Sequence, residues 1–441
     1  MKNAACLAIV AVGVGVSSCN LDGKYTVGGN LPGLRGGGLV LQDNSGNSLG
    51  VAANGSFTFS SRIGNGDAYS VTVATQPSNP AQTCTVRNGS GTIDKADVAN
   101  VVVNCTQAGR FAYVANQTSN DISAFSIEAT TGALTPISGS PFASTGTMPV
   151  SVAVDPNGAF LYVANDGSNN ISVYAIDETT GVLTSAGVPI AAGNGPMAVT
   201  VDPTDHYLYV ANLSDNTVSA FAIESGTGLA TAISGSPYAV GREPISLKTD
   251  PNGNFLYVTD FTDGNVTVLT IDSATGALTG IAGSPFGAGA GAVSIAIDPT
   301  GTFAYVANET AASISAYLVN SSTGALTAIA GSPVPTGSSP ESVAVNPAGS
   351  VLYAANVTSK NAIAGYAITP SSGVLNVGST IGAGTFPLSI AIDPMGQFVY
   401  AANDESADVS VFSVDATTGA LTRVAGSPFA AGTGARSIAI D

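Results

Sequence analysis

Glu341 and Arg436 are the residues of this 441-residue chain whose types and positions are best suited to chemistry. Each directly precedes a short run of small and apolar residues, SVAV after Glu341 and SIAI after Arg436. A carboxylate can activate water as a general base, and a guanidinium can hold an anionic group or a developing oxyanion. The alternative is that the two charges only pair with each other.

Arg242 and Glu243 are a second pair of neighbouring charges, and they stand before another run of this kind, PISLKT. We expect them on the same face of the fold as Glu341 and Arg436. All four are therefore candidate ligand-binding residues, and only Glu341 and Arg436 are candidates for catalysis. The alternative is that Arg242 and Glu243 only form salt bridges at the rim of that face.

The elements that must position these side chains form a repeat from Arg110 onward. Tyr-Val-Ala-Asn or a close variant recurs every 47 to 49 residues, and Asp-Pro or Asn-Pro recurs every 47 or 48. The first element begins at Tyr113, Tyr162, Tyr209, Tyr257, Tyr305, Tyr353 and Tyr400. Each unit holds four strand-like runs, labelled a to d, such as SVAV, FLYVAN, ISVYAI and GVLTSAG. Four antiparallel strands at this period predict the blades of a β-propeller.

The ends of the repeat predict a closed ring. The run FAYVAN at 111–116 has no a run before it, whereas RSIAID at 436–441 is an a run with nothing after it. Pairing the two completes seven blades and leaves no unpaired sheet edge. We predict an all-β fold, with a small β-sandwich-like domain over residues 19–106 and a seven-bladed β-propeller over 107–441, closed by the C-terminal strand.

The residue before each SVAV-like core can be compared across the blades. Only Glu341 and Arg436 are charged in this column, and the other five members are apolar: Val150, Met197, Ile245, Val293 and Leu388. His206 is the single histidine, and it lies in an a–b turn. Because antiparallel alternation puts a–b turns on the face opposite the a-strand starts, we interpret His206 as incidental.

Acidic residues occur in most b–c loops. They are Asp121, Asp166, Asp215, Asp263, Glu309, Asp404, Glu405 and Asp408. Calcium needs six to eight converging oxygens, and the chain has no contiguous Asp-x-Asp-x-Asp loop. We therefore expect no cofactor and no metal site, with Ca²⁺ as the ion that these carboxylates would suit. The Asp of the repeated Asp-Pro is interpreted as a turn cap.

The first 18 residues predict a lipoprotein signal peptide. Lys2 supplies positive charge, the apolar stretch from Ala4 to Val16 is too short to span a bilayer, and VSSC resembles a bacterial lipobox. Cys19 would then be the lipidated N-terminus. The alternative is an ordinary secretory signal. Either interpretation exports the chain, which predicts a lipid-anchored location in the bacterial cell envelope, periplasmic or extracellular.

Cys84 and Cys105 remain as a pair in an oxidising compartment, which predicts a disulfide. A metal pair is the alternative. The formal net charge of −17 argues against binding nucleic acid or an anionic membrane surface. The expected partner is an unknown saccharide, peptide or protein at the cell surface, and the lipid anchor is the only expected contact with a membrane.

The strings LYVANDGSNNISVYAID and DPNGNFLYVTD resemble the YVTN-type repeats of the lactonase-like propeller family, which includes 6-phosphogluconolactonases. The resemblance spans residues 110–441 and implies His, Arg and Glu side chains at the channel mouth. The column above lacks His and is mostly apolar. This departure favours a binding module of the cell envelope that is not an enzyme. The alternative is a lactonase that hydrolyses a sugar-type lactone. In that case Glu341 activates water and Arg436 holds an anionic group.

Overall fold

The computed structural model describes residues 23–34, 37–44, 46–77, 82–106, 110–357 and 361–441. The chain divides into two compact units, Met1–Gln107 and Ala108–Asp441. Among the described residues, no helix is long and apolar enough to cross a membrane. The predicted signal peptide and its lipidation site, Cys19, lie outside the described residues.

The described part of the first unit forms two four-stranded sheets around one apolar core. Its strands are β1 (Lys24–Leu31), β2 (Leu39–Asp43), β3 (Asn47–Val51), β4 (Gly55–Gly64), β5 (Ala68–Thr75), β6 (Thr83–Arg87), β7 (Ser90–Thr92) and β8 (Val98–Thr106). The sheet orders are β4-β1-β8-β6 and β3-β2-β5-β7. Alternation along β4 buries Phe57 and Phe59 while their neighbours face outward, as expected for a sheet with one face in the core.

The pairing of strands in the first unit is not antiparallel throughout. Strands β1 and β8 pair in parallel, with Gly29 opposite Val101. A Cβ on Gly29 would lie 1.7 Å from the carbonyl oxygen of Val101, so only glycine allows this close approach. The predicted disulfide is confirmed: Cys84 of β6 faces Cys105 of β8 in register, and the two sulfurs are bonded.

The second unit contains seven sheets, one for each blade. Blade 1 combines β9 (Phe111–Asn116), β10 (Asp121–Ile127), β11 (Leu134–Pro136) and β12 (Phe142–Ala143) with the last strand of the chain. Blades 2 to 4 comprise β13 (Pro149–Val154), β14 (Phe160–Asn165), β15 (Asn170–Ile176), β16 (Leu183–Ser185) and β17 (Ile190–Ala191); β18 (Pro196–Val201), β19 (Tyr207–Asn212), β20 (Thr217–Ile223), β21 (Ala230–Ala232) and β22 (Tyr238–Ala239); and β23 (Pro244–Thr249), β24 (Phe255–Asp260), β25 (Asn265–Ile271), β26 (Leu278–Gly280) and β27 (Phe286–Gly287).

Blades 5 to 7 continue the series. They comprise β28 (Ala292–Ile297), β29 (Phe303–Asn308), β30 (Ser313–Val319), β31 (Leu326–Ala328) and β32 (Val334–Pro335); β33 (Pro340–Val345), β34 (Val351–Asn356), β35 (Ala362–Ile368) and β36 (Leu375–Gly382); and β37 (Pro387–Ile392), β38 (Phe398–Asn403), β39 (Asp408–Val414), β40 (Leu421–Arg423) and β41 (Phe429–Ala430). The last strand, β42 (Ala435–Ile440), pairs with β9 and completes blade 1. The seven-bladed, end-spliced propeller is therefore confirmed.

The outermost strand of a blade differs from the single run expected. In six blades it is split into two short segments that pair with different parts of the third strand, as β11 and β12 do with β10. Between the segments, Ser140 accepts a hydrogen bond from the backbone N–H of Ala124 at 2.9 Å. Blade 6 keeps one continuous strand, β36.

The innermost strands of neighbouring blades contact one another around the whole ring, from β13 through β37 to β42 and back to β13. They surround the central channel. Six of the seven end in an Asp-Pro or Asn-Pro turn, in which the side chain of the Asp or Asn caps backbone N–H groups. In the turn after β13, for example, Asp155 Oδ1 accepts the N–H groups of Ala159 and Phe160 at 2.7 Å each.

Candidate functional site

Every innermost strand carries a one-residue bulge near its start. In β13, Pro149 pairs with Asn165 and Ser151 pairs with Ala164, so Val150 is the extra residue. The same shift occurs in the other six innermost strands. The bulged residues are Val150, Met197, Ile245, Val293, Glu341, Leu388 and Arg436, the column compared in the sequence. Because a bulge turns a side chain away from the regular alternation, all seven can face the channel mouth.

These seven residues line one cavity of about 170 Å³. The rest of its wall is formed by the residue that follows each bulge: Ser151, Ala198, Ser246, Ser294, Ser342, Ser389 and Ser437. The cavity thus has a mostly apolar upper ring, interrupted by Glu341 and Arg436, and a lower ring made almost entirely of hydroxyl groups.

Glu341 is half-buried in this cavity and has an altered acidity. Burial raises the pKa of the Glu341 carboxyl to about 7, the nearby carboxylate of Glu309 raises it too, and the guanidinium of Arg436 opposes both. Glu309 follows β29 in blade 5, Glu341 lies in blade 6, and Arg436 lies in blade 1. A carboxyl with a pKa near 7 is well matched to proton transfer at neutral pH.

Arg436 is held from the neighbouring loop rather than by Glu341. Its Nη1 donates a hydrogen bond of 3.3 Å to Oε1 of Gln117, just after β9. Throughout the described ranges no ion pair joins Arg436 to Glu341. The two charges therefore line one cavity without pairing with each other.

Arg242 and Glu243 line a different cavity, together with Leu213, Ser214, Asn216 and Thr262. Arg242 Nη2 forms a salt bridge of 2.7 Å with Oδ1 of Asp263, whose pKa is lowered chiefly by the backbone N–H of Arg242. Glu243 accepts a hydrogen bond from the Thr262 hydroxyl. The structure therefore separates this pair from Glu341 and Arg436 and engages both residues in rim contacts.

His206 lies in the turn between β18 and β19, at the end of the innermost strand that is far from the bulge. Its Nδ1 is 2.9 Å from the Thr204 hydroxyl. It does not line the cavity of Glu341. Among the residues that the structure describes, no group of three or more His, Cys, Asp or Glu side chains is arranged to hold a metal ion.

Sequence reasoning missed the hydroxyl ring, Gln117 and one cation, Lys248. The ring was visible as the Ser of six of the seven SVAV-like runs, and comparing every column of the repeat, rather than only the first, would have found it. Lys248 stands in the next inward-facing column, where alanine predominates. Gln117 had no signal in the repeat, because its contact with Arg436 joins positions 319 residues apart.

A family model described as Lactonase, 7-bladed beta-propeller matches the chain over residues 69–195, 105–242, 187–294 and 246–435. No curated protein sequence matches it.

Solved structures share the propeller. A putative 6-phosphogluconolactonase from Bacteroides uniformis is 21% identical, with a TM-score of 0.67 over 76% of this chain and 100% of that chain. The periplasmic gluconolactonase of Pseudomonas aeruginosa is 19% identical, with a TM-score of 0.65 over 75% of this chain and 98% of that chain. At these identities the likeness shows the fold alone.

Proposed function

Because the chain belongs to the seven-bladed β-propeller lactonase family, we propose that it hydrolyses a sugar-type lactone at the mouth of its central channel. The observation that carries the proposal is the pKa of Glu341, raised to about 7 in a cavity shared with Arg436. Membership in this family, together with the similar structures named as gluconolactonases, supports a hydrolase better than the binding module that the five apolar residues at the channel mouth led us to expect.

The reaction needs a base, a water molecule and a stabiliser of negative charge. The Glu341 carboxylate takes a proton from water while the water oxygen attacks the lactone carbonyl carbon. The ring C–O bond then breaks, the protonated Glu341 returns its proton to the leaving alkoxide, and the product is a hydroxy acid. Arg436 stabilises the oxyanion as it forms, because a guanidinium in a partly enclosed cavity has little water to compete with it.

The rest of the cavity suits a sugar ring. Five apolar side chains surround the mouth and can pack against C–H groups, while the hydroxyl groups below them can bond to sugar hydroxyls. Such a mixture of apolar walls and a few polar groups is typical of small-molecule sites. The proposed reaction therefore uses Glu341 and Arg436 without the His that the family resemblance implied.

A second candidate is the binding module itself, with a saccharide, peptide or protein as its ligand. The observation in its favour is that five of the seven bulged residues are apolar. Under either function we propose an exported protein anchored to the cell envelope through Cys19. The Cys84–Cys105 disulfide supports an oxidising, non-cytoplasmic compartment.

The deciding experiment measures hydrolysis of a panel of aldonolactones by the purified protein, by Glu341→Gln and by Arg436→Ala. Each variant should lose about 10²-fold or more in kcat/KM. Glu178→Gln and Arg423→Ala change the same residue types outside the cavity and should keep full turnover. Absence of turnover together with saturable binding of glycans would replace the lactonase with the binding module.

A further inference from the structure

Lys248 lies in the wall of the central channel, below the Glu341 cavity. It belongs to the innermost strand β23, two residues after Ser246, which lines that cavity. Alternate residues of a strand face the same side and are about 6.6 Å apart along it. The burial pattern agrees, since Leu247 and Thr249 are buried while Lys248 between them reaches open space.

The other blades place small residues at this level. Five have alanine and one has threonine: Ala153, Thr200, Ala296, Ala344, Ala391 and Ala439. Lys248 is thus the only long side chain at its level of the channel. The channel is open to water there, but protein surrounds it on all sides, and this burial lowers the pKa of Lys248.

Lys248 has no protein counter-charge among the described residues, where it forms neither an ion pair nor a side-chain hydrogen bond. The nearest carboxyl along its strand is Asp250. That group already accepts the backbone N–H groups of Asn252, Asn254 and Phe255, at 3.2, 2.6 and 2.8 Å. Lys248 therefore presents a positive charge to the channel that no protein group in the described residues neutralises, and an anion that enters the channel can reach it.

The hydroxyl ring above Lys248 adds donors. Five of its serines accept a backbone N–H from the next blade, at 3.1 to 3.3 Å: Ser151, Ser294, Ser342, Ser389 and Ser437. None of the five donates a hydrogen bond to any residue that the structure describes. Their protons are therefore available to a ligand in the channel.

We propose that Lys248 and the serine ring above it form a binding site for a small oxyanion inside the channel. The ammonium supplies the charge, and the hydroxyl protons supply directed hydrogen bonds. The ligand class is a compact oxyanion, either inorganic phosphate or the carboxylate of a small hydroxy acid. The site lies deeper than Glu341, and it does not depend on the proposed hydrolysis.

The test measures thermal unfolding and calorimetric binding at constant ionic strength, with inorganic phosphate in one arm and gluconate in the other. We expect saturable binding with a Kd of about 1 mM or below, and a rise in Tm of a few degrees at about 20 mM ligand. Lys248→Met should lose at least tenfold in affinity. Methionine removes the charge but keeps the chain length, so this variant should stay folded, and Lys248→Arg should retain binding.

Two controls locate the site. Lys95→Met changes an exposed lysine of the first unit and should bind like the wild type. Arg423→Gln changes an arginine of the outer strand β40, outside the channel, and should also bind like the wild type. The proposal is overturned if neither anion binds, or if Lys248→Met binds as tightly as the wild type. The two arms show which oxyanion the site prefers.

Discussion

The Tyr400 hydroxyl donates a hydrogen bond of 3.3 Å to the carbonyl oxygen of Gly132, joining blade 7 to blade 1 across 268 residues. The equivalent tyrosine of every other blade makes the same bond to a glycine of the next blade. These pairs are Tyr113–Gly181, Tyr162–Gly228, Tyr209–Gly276, Tyr257–Gly324, Tyr305–Gly373 and Tyr353–Gly419. The junction between blades 7 and 1 is therefore stabilised by the same tyrosine–glycine hydrogen bond as the other six junctions between blades.

Tyr400→Phe should lower stability, because it leaves the Gly132 carbonyl without its donor in a buried place. The expected cost is about 1–3 kcal/mol, read as a lower midpoint of chemical unfolding. Tyr209→Phe, which breaks the 3.1 Å bond to Gly276, is the matched control and should cost a similar amount. If only Tyr209→Phe had an effect, the ring would be open between blades 7 and 1 in solution.

The rate of lactone hydrolysis should rise with pH through a midpoint near 7, because the Glu341 base must be ionised to act. Arg436 lowers the pKa of Glu341, so Arg436→Gln should move the midpoint to higher pH. Glu309 raises that pKa, so Glu309→Gln should move the midpoint to lower pH. Both shifts are read from the pH dependence of kcat/KM, and shifts of the same sign would exclude Glu341 as the base.

Asp260→Asn should stabilise the propeller at neutral and higher pH. Burial raises the pKa of Asp260 from 3.8 to about 7 in the fold. Between these values the unfolded chain loses its proton while the folded chain keeps it, so stability falls as pH rises and then levels off above about 7. The gain in the free energy of unfolding should approach about 4 kcal/mol near pH 8 and vanish below about pH 4.

The neighbouring blade provides the control for Asp260. Asn308 occupies the equivalent position and donates to the hydroxyls of Ser313 and Ser315 at 3.2 and 3.0 Å. Asn308→Asp should therefore destabilise the protein near pH 8 and have little effect near pH 4. Thermal unfolding at the two pH values measures both variants, and a pH-independent effect of Asp260→Asn would contradict the assignment.

Reduction of the Cys84–Cys105 bond should destabilise the first unit by about 3 kcal/mol, because it frees a loop with a sequence separation of 21 in the unfolded chain. Calorimetry with and without reductant should show one transition at a lower temperature. The transition of the propeller should not move, since none of its residues is a cysteine. A shift of both transitions would show that the two units unfold together.

Much of the fold was predictable because each copy of the sequence repeat corresponds to one blade. The spacing of the tyrosine and proline elements indicated the blades, and the unmatched runs at 111–116 and 436–441 indicated the splice of β42 onto β9. The disulfide followed from the two cysteines that remain after the signal peptide and the lipidation site Cys19 are set aside. The parallel pairing of β1 with β8 was not predictable, because alternating runs look the same whichever way a neighbouring strand runs.

By itself, then, the sequence determined which residues occupy equivalent positions in the seven blades, because the repeat of 47 to 49 residues aligns each blade with the next. Only the tertiary structure decided what the charged members do. It placed Glu341, Glu309 and Arg436 from three blades near one cavity and set Arg242 and Glu243 apart. It also left Lys248 without a counter-charge among the residues that the structure describes. The pKa of a side chain, and the groups that it contacts, depend on distances between atoms in space. Residues far apart in the sequence come within those distances only when the ring closes.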